Sequence, residues 1–254
     1  MPEVAHCLIR TLGNPEAPIS LVRDAIAEDP ALTAKLLRLA NSARFGMSRR
    51  IGSIDDAVIL IGTAQVRTLA LSACLADAFP VIPGLDRKAF WQGSLACASY
   101  ADWLAGGLGA DAQQAWLTGF MLRLGELVMA QAVPGCLLQI EREPSAPGSR
   151  WQREIDFLGF SEGQVTAELA RRWNFPIEIV RGLDTAATPM AASSFCRLGA
   201  IVHVSGLLAE MAPSSPEALD QLPTDVIDAL QVDRIWMRSR LPQPEAFMDS
   251  SSMS

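Results

Sequence analysis

The sequence predicts an all-α protein: an N-terminal helical bundle packed on a second helical bundle. Three observations carry this. No sustained period-two alternation of apolar residues runs anywhere in the chain, no Asn-Gly or Asp-Gly hairpin turn occurs, and helix caps and stops recur every ten to twenty residues. Glu3 to Leu12 places Val4, Cys7, Leu8 and Leu12 on one face and stops at Gly13-Asn14-Pro15. Ser20 opens a second helix ending near Asp29. Asp29-Pro30 then reads as an N-cap followed by proline at the first helical position, with Leu32, Leu36, Leu37 and Leu39 lining a core face to about Asn41. An irregular basic loop, Ala43 to Arg50, precedes Ser53-Ile54-Asp55-Asp56, which has the spacing of a capping box. A helix restarts at Ile54, breaks at Gly62-Thr63, and resumes from Ala64 to Phe79.

Pro80 and Pro83 mark the first domain boundary. Two long helices follow, Asp86 to Leu104 and Asp111 to Ala132, each opened by a capping aspartate. Residues 134–149 read as a linker-like loop rich in Pro, Gly, Ser and Glu. Further helices are expected at Arg150 to Leu158, Ser161 to Trp173, Pro176 to Asp184 and Ser193 to Met211, then a weaker helical tail. The last residues, 249–254, read as disordered.

Composition narrows the chemistry. The chain has 254 residues, half of them hydrophobic and 19% charged, so it can bury a sizeable core and is neither fibrous nor disordered. Its 28 acids against 21 Lys and Arg give net −7, which works against wholesale phosphate-backbone binding unless cations gather locally. Only two histidines, His6 and His203, are present, so a site of three or four imidazoles is excluded. Five scattered cysteines without a C-x-x-C read as buried, reduced thiols. The N-terminus lacks an apolar signal region and no stretch has the length of a membrane span, so the expected location is cytoplasmic, without membrane insertion. No Walker A loop, Rossmann glycine pattern or Gly-x-Ser-x-Gly elbow occurs. No cofactor is called for.

The run from Asp29-Pro30 through Leu36-Leu37, Asn41-Ser42 and Phe45-Gly46, continued by Ile51-Gly52-Ser53 and Ile61-Gly62, resembles the HDOD family. These are bacterial signalling output domains related to the HD phosphohydrolases. The resemblance continues through Phe90-Trp91, Ser94-Leu95-Ala96, Gly119 to Gly125 and Gly159-Phe160 to roughly Pro189. It implies an HDOD domain over 1–190, with an N-terminal lobe (1–80) and a degenerate HD-like lobe (86–190) completed by C-terminal helices over 191–248. HD enzymes hold divalent metal through histidines and a His-Asp pair, because such an ion needs several fixed lone pairs. The corresponding positions here are Gly93, Leu122-Arg123, Glu162, Ala186-Ala187 and Gly206, none of which can rebuild that set. The resemblance therefore implies no catalysis and no metal, but a regulatory module acting through contacts with a signalling protein partner.

Two further constellations remain. Arg123 either pairs with Glu162, a guanidinium replacing the lost cation, or reaches solvent from a helix face. Between residues 31 and 70, Lys35, Arg38, Arg44, Arg49, Arg50 and Arg67 face only Asp55 and Asp56, a local balance of +4. In an acidic chain this patch is a candidate site for a partner, a nucleotide or another anion, with Arg44, Arg49, Arg50 and Arg67 as the contacts, or else an ordinary solvated surface. The alternative functions are thus a nucleotide or nucleic-acid binder using loop 44–50, and a divergent phosphohydrolase. A helix-turn-helix is disfavoured because the 64–79 helix is too apolar for a groove. His203 reads as a core or interface histidine with one hydrogen bond, and the six tryptophans as packing anchors.

Overall fold

The computed structural model describes residues 3–12, 17–41, 50–141, 146–191, 194–212 and 216–242. Among these, every regular element is helical: α1 (Glu3–Leu12), α2 (Ile19–Ala27), α3 (Pro30–Ala40), α4 (Ile54–Ile61), α5 (Thr63–Asp77), α6 (Arg87–Gly107), α7 (Ala112–Met121), α8 (Leu124–Ala132), α9 (Cys136–Ile140), α10 (Ser149–Leu158), α11 (Glu162–Arg172), α12 (Ile177–Thr185), α13 (Arg197–Met211), a 3-10 turn (Pro216–Gln221), α14 (Thr224–Leu230) and α15 (Arg234–Arg240). The expected caps are in place. Asp29 accepts from the Ala31 and Leu32 amides, Ser53 from Asp56, Asp86 from Ala89 and Asp111 from Gln114.

The chain divides into two compact units. The first comprises residues up to Trp91 together with Trp173–Pro176, the second Gln92–Arg172 and Ile177 onward. The division therefore falls inside α6, not at Pro80 and Pro83, because α6 runs on without a break through Trp91. In the first unit α1, α2, α3 and α4 pack around α5. That helix is buried at Gln65 and Val66 and continuously from Thr68 to Ala76, as a core helix must be and a groove-reading helix is not. Phe79 meets Trp173 at 6.4 Å between ring centroids, which ties the 173–176 segment to this unit.

Asn41 closes the base of the basic loop. Its Nδ2 donates to the Ile51 and Leu37 carbonyls at 2.8 and 2.7 Å, and its Oδ1 accepts from the Ile51 amide at 2.8 Å. Asn41→Ala would strand both polar groups of buried Ile51. The expected loss is about 1–3 kcal/mol in urea unfolding.

In the second unit α11 is central, packed on α8 and α12, with α13 against α7 and α12. Close packing needs small residues: a Cβ at Gly163 would sit 2.7 Å from the Leu183 carbonyl oxygen. At the C-terminal end Trp236 of α15 stacks on Trp103 of α6 at 5.0 Å and covers Gly107.

Three expectations are corrected. The helix expected from Asp111 to Ala132 is broken at Leu122-Arg123 into α7 and α8. The Leu122 carbonyl and Gly125 amide bond instead to the Thr166 hydroxyl of α11, at 3.1 and 2.7 Å. Residues 134–149 contain α9, which starts after Gly135 in the left-handed region (φ 85°) and buries Cys136 and Ile140 against Met129. The helix expected from Ser193 begins only at Arg197, capped by the Cys196 sulfur accepting from Gly199 at 3.4 Å.

Candidate functional site

Five of the seven predicted degenerate-site residues meet around one cavity. Gly93 from α6, Leu122 and Arg123 from the α7–α8 junction, Glu162 from the start of α11 and Gly206 from α13 line a space of about 60 Å³, together with Cys97, Trp151, Ala209 and Glu210. Ala186 is buried but outside the lining, where its carbonyl accepts from His203 Nδ1 at 2.7 Å. Ala187 is half-buried and also outside it. His203 makes that one bond and lies against the Trp151 ring at 4.9 Å, and burial pushes its pKa down, so the neutral ring donates to Ala186.

Arg123 takes neither of its two expected roles. Its guanidinium is half-buried and donates from Nη2 and Nε to Glu126 Oε2 at 2.8 and 3.2 Å, one turn further on, rather than to Glu162. Gly93 makes this possible. A Cβ there would lie 2.5 Å from Arg123 Nη1, so the glycine leaves room for the guanidinium.

The second cation of the site is Arg150, on α10, which the sequence did not single out. It is 8% exposed and gathers carboxylates from three helices and a loop. Nη2 lies 3.2 Å from Glu126 Oε2, Nε 2.8 Å from Glu154 Oε1, Nη1 2.5 Å from Glu141 Oε1, and Nε 3.8 Å from Glu162 Oε2. Glu154 also accepts from the Glu162 amide at 2.7 Å, satisfying an orphan donor of α11. Trp151 Nε1 donates to Glu162 Oε1 at 3.0 Å. The i, i+4 spacing of Arg150 and Glu154 and the i, i+3 spacing of Arg123 and Glu126 are the local signals that could have revealed this cluster.

Two guanidinium groups cannot hold every carboxyl ionised. Burial raises the Glu126 pKa, but Arg123 and Arg150 outweigh it and hold that carboxyl below its ordinary value. Burial raises Glu154 against the pull of Arg150. Glu162 is pushed up to about 8 by burial and by the neighbouring Glu154, against Arg150 and Arg123. Burial also raises the Cys97 thiol, which stays protonated. Because the folded Glu162 pKa lies above its ordinary 4.5, its contribution to stability is complete below 4.5 and is lost as pH rises through about 8. Urea midpoints measured from about pH 6 to pH 8.5 should fall in the native chain and stay flatter in Glu162→Gln.

A divalent metal does not fit here. The cavity presents a guanidinium, the buried Glu162 carboxyl, the exposed Glu210 carboxyl, the Cys97 thiol and no imidazole, and among the described residues no three His, Cys, Asp or Glu side chains are arranged to hold an ion. Of the basic patch, Arg44 and Arg49 lie outside the described residues, as does the 249–254 tail. Arg50 is exposed, whereas Arg67 donates to the Thr11 carbonyl at 2.6 Å and holds the end of α1. Lys35 pairs with Asp77. The basic patch is thus partly structural. Four cysteines are buried and all five are free thiols.

The described residues form an all-α fold in which one cavity gathers Gly93, Leu122, Arg123, Glu162 and Gly206. The chain belongs to the HDOD domain family, whose model matches residues 1–189. A sequence relative, an uncharacterized protein of Treponema pallidum (strain Nichols), is 32% identical over 178 residues; these are 67% of this chain and 34% of the relative, so the chain spans about a third of that relative's length. A solved structure from Shewanella amazonensis SB2B, provisionally described as a phosphohydrolase, matches all of this chain and 94% of its own at TM-score 0.83 and 24% identity. An HDOD domain protein of Geobacter sulfurreducens matches 99% of this chain and 87% of its own at TM-score 0.74 and 20% identity. A protein of Marinobacter aquaeolei VT8, provisionally described as acting in signal transduction, matches 99% of this chain and 58% of its own at TM-score 0.81 and 26% identity. No described helix is long and apolar enough to cross a membrane.

Proposed function

We propose that this chain is a non-catalytic regulatory module in signal transduction, acting through contacts with a protein partner. The observation that carries the reading is Arg123 lying over Gly93, a fixed positive charge where an HD enzyme needs a cation-binding side chain. A metal ion placed there would be repelled by the guanidinium and would find no imidazole to displace its water. Membership of the HDOD family and the likeness to the Marinobacter protein support a signalling role.

Two measurements test the reading. Purified chain given Mg²⁺, Mn²⁺ or Ni²⁺ with phosphomonoester and cyclic-nucleotide substrates should show no turnover above the metal-only blank. Turnover that disappears with Arg123→Leu or Glu162→Gln would instead establish a divergent hydrolase. For the contact itself, cross-linking in host lysate should capture the same partner from independent preparations. Loss of that partner from an Arg44→Ala, Arg49→Ala, Arg50→Ala variant that keeps native helicity would make the basic loop its docking surface.

A further inference from the structure

We propose that the cavity between Arg123 and Glu162 is a binding site for a small oxyanion of the monocarboxylate or bicarbonate class. Glu162 is 2% exposed, and its carboxyl is fixed by the Trp151 indole, which donates to Oε1. Its other oxygen, Oε2, is buried with no hydrogen-bond partner, Arg150 Nε being 3.8 Å away and beyond reach. A buried polar atom left this way costs folding free energy unless something in the cavity meets it. The space is the right scale: at about 60 Å³ it admits about four waters or a molecule of similar size, and it excludes a nucleotide.

The sign of the ligand follows from the walls. With Oε1 accepting from Trp151, a protonated Glu162 carries its hydrogen on Oε2 and is a donor. Arg123, across the cavity, is a cation and also a donor. The lining thus holds two donors, one of them charged, beside one exposed carboxyl, Glu210, whose Oε2 already accepts from the Gly148 amide, and such a donor pair favours an acceptor with negative charge. Glu162 is faced by Glu154 and Arg150 from α10, Arg123 and Glu126 from the α7–α8 junction, Cys97 from α6 and Glu210 from α13, and its pKa of about 8 in this setting keeps it the donor at neutral pH. The site goes beyond the non-catalytic contact reading and does not depend on it, since ligand binding and partner capture are read separately.

The Trp151 indole N–H reports directly on Glu162, and its nitrogen-15 NMR resonance can be assigned with Trp151→Phe. Titration with sodium formate, acetate and bicarbonate at constant ionic strength should move this resonance saturably, whereas sodium chloride and ammonium chloride should not. The dissociation constant should rise about tenfold per pH unit above pH 8 as Glu162 loses its proton. Ala209→Leu, which narrows the cavity from a half-buried position without touching a charge, should abolish the shift while preserving the thermal midpoint. Glu162→Gln keeps a donor and should bind without that pH dependence. A non-saturable response shared by all salts, saturation by ammonium instead, or undiminished binding in a folded Ala209→Leu variant would overturn the proposal.

Discussion

Replacing Arg150 with leucine should lower the unfolding free energy by on the order of 3–5 kcal/mol, a large part of what a domain of this kind possesses. The cation is 8% exposed and contacts Glu126, Glu141, Glu154 and Glu162, three of which are themselves buried. Removing it leaves Arg123 as the sole guanidinium bonded to Glu126 and takes the donor from Glu154 Oε1, leaving that side chain only the Glu162 amide on Oε2. Uncompensated carboxylates in such a site either repel one another or take up protons. The deficit should therefore shrink as pH falls toward 5, and a triple Arg150→Met, Glu154→Gln, Glu162→Gln variant should recover much of it, since a buried ion cluster exchanged whole loses both its attraction and its desolvation cost. Urea midpoints of the three proteins between about pH 5 and pH 8 read this directly. Arg172→Ala, which breaks an exposed pair with Glu168, is the control and should leave the midpoint unchanged. A small effect of Arg150→Leu at pH 7 would mean that Glu154 is neutral there as well as Glu162 and needs no counter-charge.

The sequence made the parts that depend on neighbours along the chain legible. Asp29, Ser53, Asp86 and Asp111 cap helices because a side-chain oxygen two or three residues from an amide needs no tertiary help. The apolar run of α5 announced its burial in the same way. The α7–α8 break was not legible, because the hydroxyl that makes it tolerable is on Thr166, 41 residues beyond Gly125. For α9, Pro134-Gly135 looked like a stop although the glycine's positive φ opens a short helix. At the site, the resemblance named positions and the structure placed Gly93, Leu122, Arg123, Glu162 and Gly206 in one cavity. It could not name Arg150, Glu126 and Glu154, whose meaning arises only where α8, α10 and α11 converge.

Gly125→Ala should be the most damaging substitution of a single hydrogen by a methyl group in the second unit. The new Cβ would stand 2.0 Å from the Glu162 carbonyl oxygen and 3.0 Å from its Cα, so backbone rather than a flexible side-chain tip must give way. Overpacking of this kind costs about 1–3 kcal/mol and more where the obstacle is rigid. Thr166→Val probes the same joint by another route. It keeps the volume but removes the oxygen that accepts from the Gly125 amide and shares its own proton between the Leu122 and Glu162 carbonyls. One buried amide is left unsatisfied, with an expected loss of about 1–3 kcal/mol, while Thr166→Ser should be closer to native. The two lesions should add to less than their sum, because once α8 and α11 have separated the hydroxyl has nothing left to hold. The same joint sets the position of Arg123 and, one turn later, of Glu126. A Gly125→Ala chain that still folds should therefore show a displaced Trp151 indole resonance, the strain passing from the α8–α11 contact through Glu162 into the cavity.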